Sequence, residues 1–266
     1  MKKTVILIVF LMSLTGCDLQ YSMLYYPDTS VPSPAELAAR HLRFWPAGPD
    51  GYRGFIGTDE IRNGKGTIIV FPGNAGTAAD RVYYASALGS IGYRVILAEY
   101  PGYGKRGGEL GEKSLVGDAK DAIRFASTQY GAPLFLLGES LGCGVAAGAA
   151  ADPSLRIDGL LLITPWDTLL AAAKTHFRYL PVGLFMRDRY DNKENLKAFR
   201  KRIAIVGAER DEIVPVRHAR ELYRSLPGPK RMWIIKGAGH NDWPMVVDLP
   251  MWREYMDFLE GDLHRD

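Results

Sequence analysis

Six apolar runs of strand length recur along this chain: GTIIVFP (66–72), YRVILAEY (93–100), PLFLLG (133–138), GLLLIT (159–164), RIAIVG (202–207) and RMWIIK (231–236). None shows the in-out alternation of a half-solvated strand. Continuous runs of this kind suit parallel strands covered on both faces. Helical patterns fill the intervals at about 77–91, 115–129, 141–151, 216–226 and 250–260. In the last, Trp252, Tyr255, Met256 and Leu259 fall at i, i+3, i+4 and i+7, with Pro250 near the start. Strand and helix in strict alternation, joined by right-handed crossovers, predict an α/β fold with a mostly parallel central sheet and helices on both faces. One link breaks the rhythm. Residues 166–199 contain LLAAAKTHFRYLPVGLFM, too long for a simple crossover and too apolar for a solvated loop. A small helical cap over one end of the sheet is expected there. Its apolar residues either pack on the sheet as core or line a pocket.

The chain opens with Met1-Lys2-Lys3 and TVILIVFLMSL, a charged region and then an apolar one too short to span a bilayer comfortably. Leu14-Thr15-Gly16-Cys17 follows and resembles the bacterial lipobox. That resemblance implies a signal peptide over 1–16, lipidation of Cys17, and anchoring in the cell envelope facing the periplasm. Asp18 after the cysteine implies the inner membrane. Without Lys2 and Lys3 the formal charge falls from +3 to +1, which gives no footprint for a nucleic-acid partner. The other cysteine is Cys143, so with Cys17 acylated no disulfide is expected. Residues 17–50, rich in Pro and Tyr, read as the lipidated Cys and a tether, with weak strand candidates at Leu42–Trp45 and Tyr52–Gly57; the main domain is expected over 51–266.

The chemistry centres on Gly138-Glu139-Ser140-Leu141-Gly142, between a strand run and a helical pattern. A nucleophile on a sharp strand-to-helix turn needs small residues two positions to either side, where strand and helix nearly touch. A serine hydroxyl needs a base. Of five histidines, His240 stands in the loop after the last strand run, at the carboxyl edge where open α/β sheets place their sites. His176, in the cap, is the rival. The imidazole needs a carboxylate. Asp211 follows the 202–207 run at the same edge, with Glu209 and Glu212 as neighbouring alternatives.

The order Ser140, Asp211, His240, together with "FPGNAG", "YPGYGKRGG", "GESLG", "TPW" and "LFMRDRYDN", resembles the α/β-hydrolase superfamily in its abhydrolase-domain branch, over essentially all of residues 60–260. The resemblance implies an oxyanion hole from the amides of Asn74 (or Ala75) and Leu141, with Pro72 in place of the usual histidine. It also implies esterase, lysophospholipase or peptidase chemistry without a cofactor, on an acyl-containing small molecule or lipid. The expected activity is hydrolysis of an acyl ester or thioester through an acyl-enzyme. Acyl transfer, peptide hydrolysis and a non-catalytic envelope role are the alternatives. Gly102-Tyr103-Gly104-Lys105-Arg106-Gly107 matches a dinucleotide fingerprint formally, but Pro101 before it and the glycines after it delay the helix such a site requires. Metal-ligand spacing is absent from the sequence.

Overall fold

A computed structural model describes residues 20–59 and 64–261. Residues 1–19, with the signal-peptide and Cys17 readings, lie outside the described residues.

Eight strands form one mixed sheet: β1 (Leu42–Trp45), β2 (Gly54–Gly57), β3 (Thr67–Phe71), β4 (Arg94–Ala98), β5 (Leu134–Glu139), β6 (Gly159–Ile163), β7 (Arg202–Ala208) and β8 (Lys230–Ile235). Their spatial order is β1-β2-β4-β3-β5-β6-β7-β8. β2 runs antiparallel to both its neighbours, and every pairing from β4 to β8 is parallel. The six apolar runs are the six parallel strands. Successive side chains of each strand enter opposite sides of the sheet. Ile69, Leu136, Leu160, Leu162 and Ile205 join one buried cluster, and Ile68, Leu137, Leu161, Ile163 and Val206 join the other. With both faces covered there is no room for alternation.

The helices are α1 (Pro34–Ala39), α2 (Val82–Ser90), α3 (Glu112–Tyr130), α4 (Leu141–Ala150), α5 (Leu169–His176), α6 (Asn192–Leu196), α7 (Arg217–Ser225) and α8 (Leu249–Glu260). Local chemistry sets their starts. Ser33 and Glu36 close a capping box on α1, Thr168 accepts from the Ala171 amide on α5, and Asp248 accepts from Met251 on α8. The pattern expected at 77–91 divides into a 3-10 turn, Ala78–Arg81, and α2. α4 is buried on every side except at its end, as its Gly/Ala-rich sequence allows. A Cβ on Gly144 would lie 2.6 Å from the Tyr190 ring.

The N-terminal segment departs from the sequence reading. A tether was expected up to residue 50, with the domain starting at 51. Instead β1 is an edge strand of the main sheet, and residues 20–28 lie against the domain. Tyr26–Pro27 forms a short parallel ladder with Ala75–Gly76. The buried Tyr25 donates to Asp188 Oδ2 at 2.6 Å and lies 3.0 Å, hydroxyl to hydroxyl, from Tyr190. Gln20 accepts from the Arg187 amide (2.7 Å) and donates to the Asp188 carbonyl (3.0 Å). Residues 20–24 are helical and only residues 25–28 run extended, and both parts are hydrogen-bonded to the domain.

The cap departs too. Leu169 is buried, whereas Tyr179, Leu180 and Leu184 are exposed and do not serve as core. Phe177, Val182, Phe185 and Met186 are half-buried.

A buried acid stands behind the loop that follows β4. Glu99 accepts from the Ala78 amide with one oxygen (3.0 Å), and its Oε2 has no hydrogen-bond partner. Burial pushes its carboxyl up to about 8, against the opposing effect of that amide. An acid whose folded pKa is raised holds its proton in the folded state after the unfolded chain has lost it. Stability is therefore lost as pH climbs from the ordinary carboxylate range to about 8. Glu99→Gln keeps an acceptor for Ala78 and removes the titration. The melting temperature of the variant should gain on the native protein's between about pH 5 and pH 8. Parallel melting curves across that range would refute the assignment.

Candidate active site

Ser140 is set between β5 and α4 with φ +51° and ψ −110°, in the left-handed half of the map that a non-glycine residue occupies only under constraint. The constraint comes from its neighbours. A Cβ on Gly138 would lie 2.5 Å from the Gly142 carbonyl oxygen, and one on Gly142 would lie 1.9 Å from that of Phe71. Strand, helix and the end of β3 meet here backbone to backbone. The Ser140 amide donates to Ile163 O at 3.0 Å, which pins the turn to β6.

Two loops at the carboxyl edge of the sheet complete the group. His240 Nε2 stands 2.9 Å from Ser140 Oγ, and His240 Nδ1 stands 2.7 Å from Asp211 Oδ2. Asp211 Oδ1 accepts from the amides of Ile213 (3.0 Å) and Val214 (2.6 Å), which fix the carboxylate plane. All three residues are buried, Ser140 and His240 each keeping 9% exposure. A base, an orienting carboxylate and a hydroxyl in one hydrogen-bonded series have the geometry that moves a proton off the hydroxyl.

The neighbouring acids and the rival histidine are placed elsewhere. Glu209 accepts from the Gly237 amide at 2.8 Å, and Glu212 is exposed. His176 is exposed and sits 2.7 Å from the Ile213 carbonyl. His218 pairs with Asp167 at 2.7 Å through Nδ1 and reaches Thr175 Oγ1 at 3.0 Å through Nε2. Burial opposes the Asp167 charge, but the His218 bond and the Thr168 amide outweigh it and hold the carboxyl below its usual range. This second series ties α7 to the cap. Its hydroxyl is in the last turn of α5, and Arg217 also donates to it (2.8 Å). His264 lies outside the described residues.

The loop after β3 lies against the turn that carries Ser140, since a Cβ on Gly73 would be 3.1 Å from Glu139 Oε1. Pro72 leaves it without a histidine brace, and two tyrosines of the "YPGYG" stretch supply one. Tyr100 donates to the Pro72 carbonyl and Tyr103 to the Asn74 carbonyl, each at 2.7 Å. The N-terminal segment adds more. The Tyr26 amide donates to Asn74 O, and Asn74 Nδ2 donates to Leu24 O, both at 2.9 Å. Leu141 is the first residue of α4, where opening amides have no carbonyl of their own helix to bind.

Three features here were missed by sequence reasoning. Glu139, beside Ser140, accepts from Tyr84 (2.8 Å), Tyr83 (2.9 Å) and Arg81 (3.4 Å). Burial and the Glu139 charge push both tyrosines up, so they remain donors. Cys143 lies beneath the turn; burial pushes its thiol up, and it donates to the carbonyls of Gly138 and Ile163. The N-terminal brace is the third. The one sequence signal was the run of tyrosines near these motifs, which chemistry alone did not single out.

A family model described as serine aminopeptidase, S33, matches residues 62–178. An uncharacterized protein of Mycobacterium tuberculosis, Rv2307c, is 32% identical over 184 residues, which are 68% of this chain and 64% of that protein. Lysophosphatidylserine lipase ABHD12 of Danio rerio is 31% identical over 192 residues, 63% of this chain and 50% of the lipase. The chain thus spans about half to two thirds of the length of the curated relatives it matches. Among solved structures, the Pyrococcus furiosus esterase Pf2001 superimposes with a TM-score of 0.63 at 18% identity, over 89% of this chain and 97% of the esterase. The α/β hydrolase GrgF of Penicillium sp. sh18 gives 0.61 at 18% identity, over 78% and 92%. By strand order and by structural likeness, this chain has the α/β-hydrolase fold, and its residues 62–178 match the serine aminopeptidase, S33, family model.

Proposed function

We propose that the protein is a membrane-tethered serine hydrolase that cleaves an acyl ester or thioester. The observation that carries the reading is the hydrogen-bonded series from Ser140 through His240 to Asp211. Ser140 Oγ attacks the acyl carbonyl while His240 Nε2 takes its proton. Asp211 holds the Nδ1 proton and stabilises the imidazolium. The amides of Asn74 and Leu141 receive the oxyanion. His240 returns the proton to the leaving alcohol or thiol, and the acyl group stays on Ser140. Water, activated by the same imidazole, then releases the acid. The lipases and esterases among the relatives support a lipid acyl ester as substrate. The family description favours one second reading, aminopeptidase action on the same serine.

A fluorophosphonate probe tests the nucleophile: covalent labelling of the folded protein is expected, and no labelling overturns the reading. A series of p-nitrophenyl esters tests the substrate class. Each methylene buried beside the half-buried cap residues Phe177, Val182 and Phe185 contributes at most about 0.8 kcal/mol. Accordingly kcat/KM should rise several-fold per two added carbons until the space is full. A flat profile, with turnover of aminoacyl p-nitroanilides, would favour the peptidase.

Anchoring is proposed through acylation of Cys17. Cys17→Ser should lose incorporation of radioactive palmitate in cells. Retained label in that variant would dismiss the lipobox reading.

A further inference from the structure

We propose that the rim of the active-site face is a docking surface for an anionic phospholipid bilayer. Among the described residues ten large apolar side chains are exposed, and nine of them stand on segments at the carboxyl edge of the sheet. The N-terminal strap contributes two and the Asp211 loop contributes Ile213. The segment after His240 contributes three, of which Met245 is 89% exposed. The cap contributes Tyr179 (90%), Leu180 (59%) and Leu184 (81%). The exception, Phe125, lies on α3 against Trp45. Exposed apolar side chains concentrated on the segments of one sheet edge mark a surface meant to be covered.

Charge and chain path select the occupant. Between residues 169 and 190 the cap exposes Lys174, Arg178, Arg187 and Arg189. The one acid in that stretch, Asp188, is buried and taken up by Tyr25 and the Glu112 amide. Exposed aromatic and leucine side chains edged by Lys and Arg are the composition of a bilayer-interface segment with anionic headgroups. The apolar groups come from four separate segments, as suits a fluid surface. Gln20, bonded to Arg187 and Asp188 of the cap, is the third residue after Cys17. Three residues reach at most about 10 Å. With Cys17 acylated as proposed above, the cap is held at the membrane surface. The orientation rests on that acylation; the apolar and basic rim does not. A lipid leaving the bilayer at this rim meets Ser140 without crossing open water.

The test uses the full chain carrying Leu184→Cys, labelled with a nitrobenzoxadiazole, and the same label at Phe125→Cys as reference. The parent protein, treated alike, supplies the background from Cys17; Cys143 is buried. On phosphatidylglycerol vesicles the label at 184 should shift to the blue and be quenched by nitroxide lipids, and the label at 125 should do neither. On phosphatidylcholine the shift should fall at least about two-fold. Three results overturn the proposal: a water-like spectrum at 184 on phosphatidylglycerol, equal shifts at both positions, or a blue shift already present without vesicles. The last is what a second copy or a protein partner covering the face would give. The readout involves no turnover and no palmitate, so its failure is separate from failure of the hydrolase or the anchor.

Discussion

Replacing Ser140 by Ala is expected to leave a folded protein whose ester hydrolysis falls by about 10,000-fold or more and which takes no fluorophosphonate. Alanine accepts the same backbone angles as serine, and the turn keeps its bond to Ile163 O, so only the nucleophile is lost. His240→Ala should be nearly as damaging. Asp211→Asn should be milder, yet still severe. Its Oδ1 can go on accepting from Ile213 and Val214, but an amide nitrogen then faces His240 Nδ1. That nitrogen donates, which drives the imidazole proton to Nε2, where it cannot take one from Ser140. The three losses will not add, because the residues act as one unit. Substantial turnover in a folded Ser140→Ala protein, or a silent His240→Ala beside a lethal His176→Ala, would dismiss the assignment.

The second large effect is expected at Gly142. A methyl group there would stand 1.9 Å from the Phe71 carbonyl oxygen, 2.6 Å from its carbon and 2.8 Å from the Pro72 carbonyl oxygen. These are backbone atoms at the end of a central strand, not the yielding tip of a side chain. Gly142→Ala should cost about 3 kcal/mol or more in chemical denaturation, since overpacking between fixed backbones has no rotamer to relax into. What folds should react slowly. The displaced atoms carry the Pro72–Asn74 loop, and a shift of about 1 Å in a positioning group costs on the order of 100-fold in rate. Gly117→Ala is the control, as a Cβ there meets nothing within 4 Å on a solvated helix. Equal stability of the two variants would mean that the close approach is not rigid.

The parallel strands could be read in advance because burial on both faces leaves a continuous apolar run, a signal carried within six or seven residues. The sharp turn at Ser140 was readable for a related reason. Steric demand confines positions 138 and 142 to glycine, and that demand is local. Asp211 and His240 followed from strand ends alone, because the carboxyl edge of a parallel sheet collects the loops that can meet. What escaped depends on partners distant in sequence. Tyr25 is buried by Asp188 and Tyr190, more than 160 residues away. Nothing around Pro27 or Pro32 distinguishes a paired extended strap from a solvated one. The cap misled differently: an apolar composition indicates cover of some kind, and Tyr179, Leu180 and Leu184 lack it within the fold. Glu139 read as a bystander because its three donors are more than 50 residues upstream.

The strap of residues 20–28 has a temporal consequence. A chain is made from its beginning, yet here the N-terminal strap bonds to Asn74 on one side and to residues 187–190 on the other. The strap is fully seated only when residues separated by 168 positions have met. Closing so long a loop comes late, after local helices and neighbouring strands have formed. The order of folding thereby makes the loop beside Ser140 one of the last parts of the molecule to be braced.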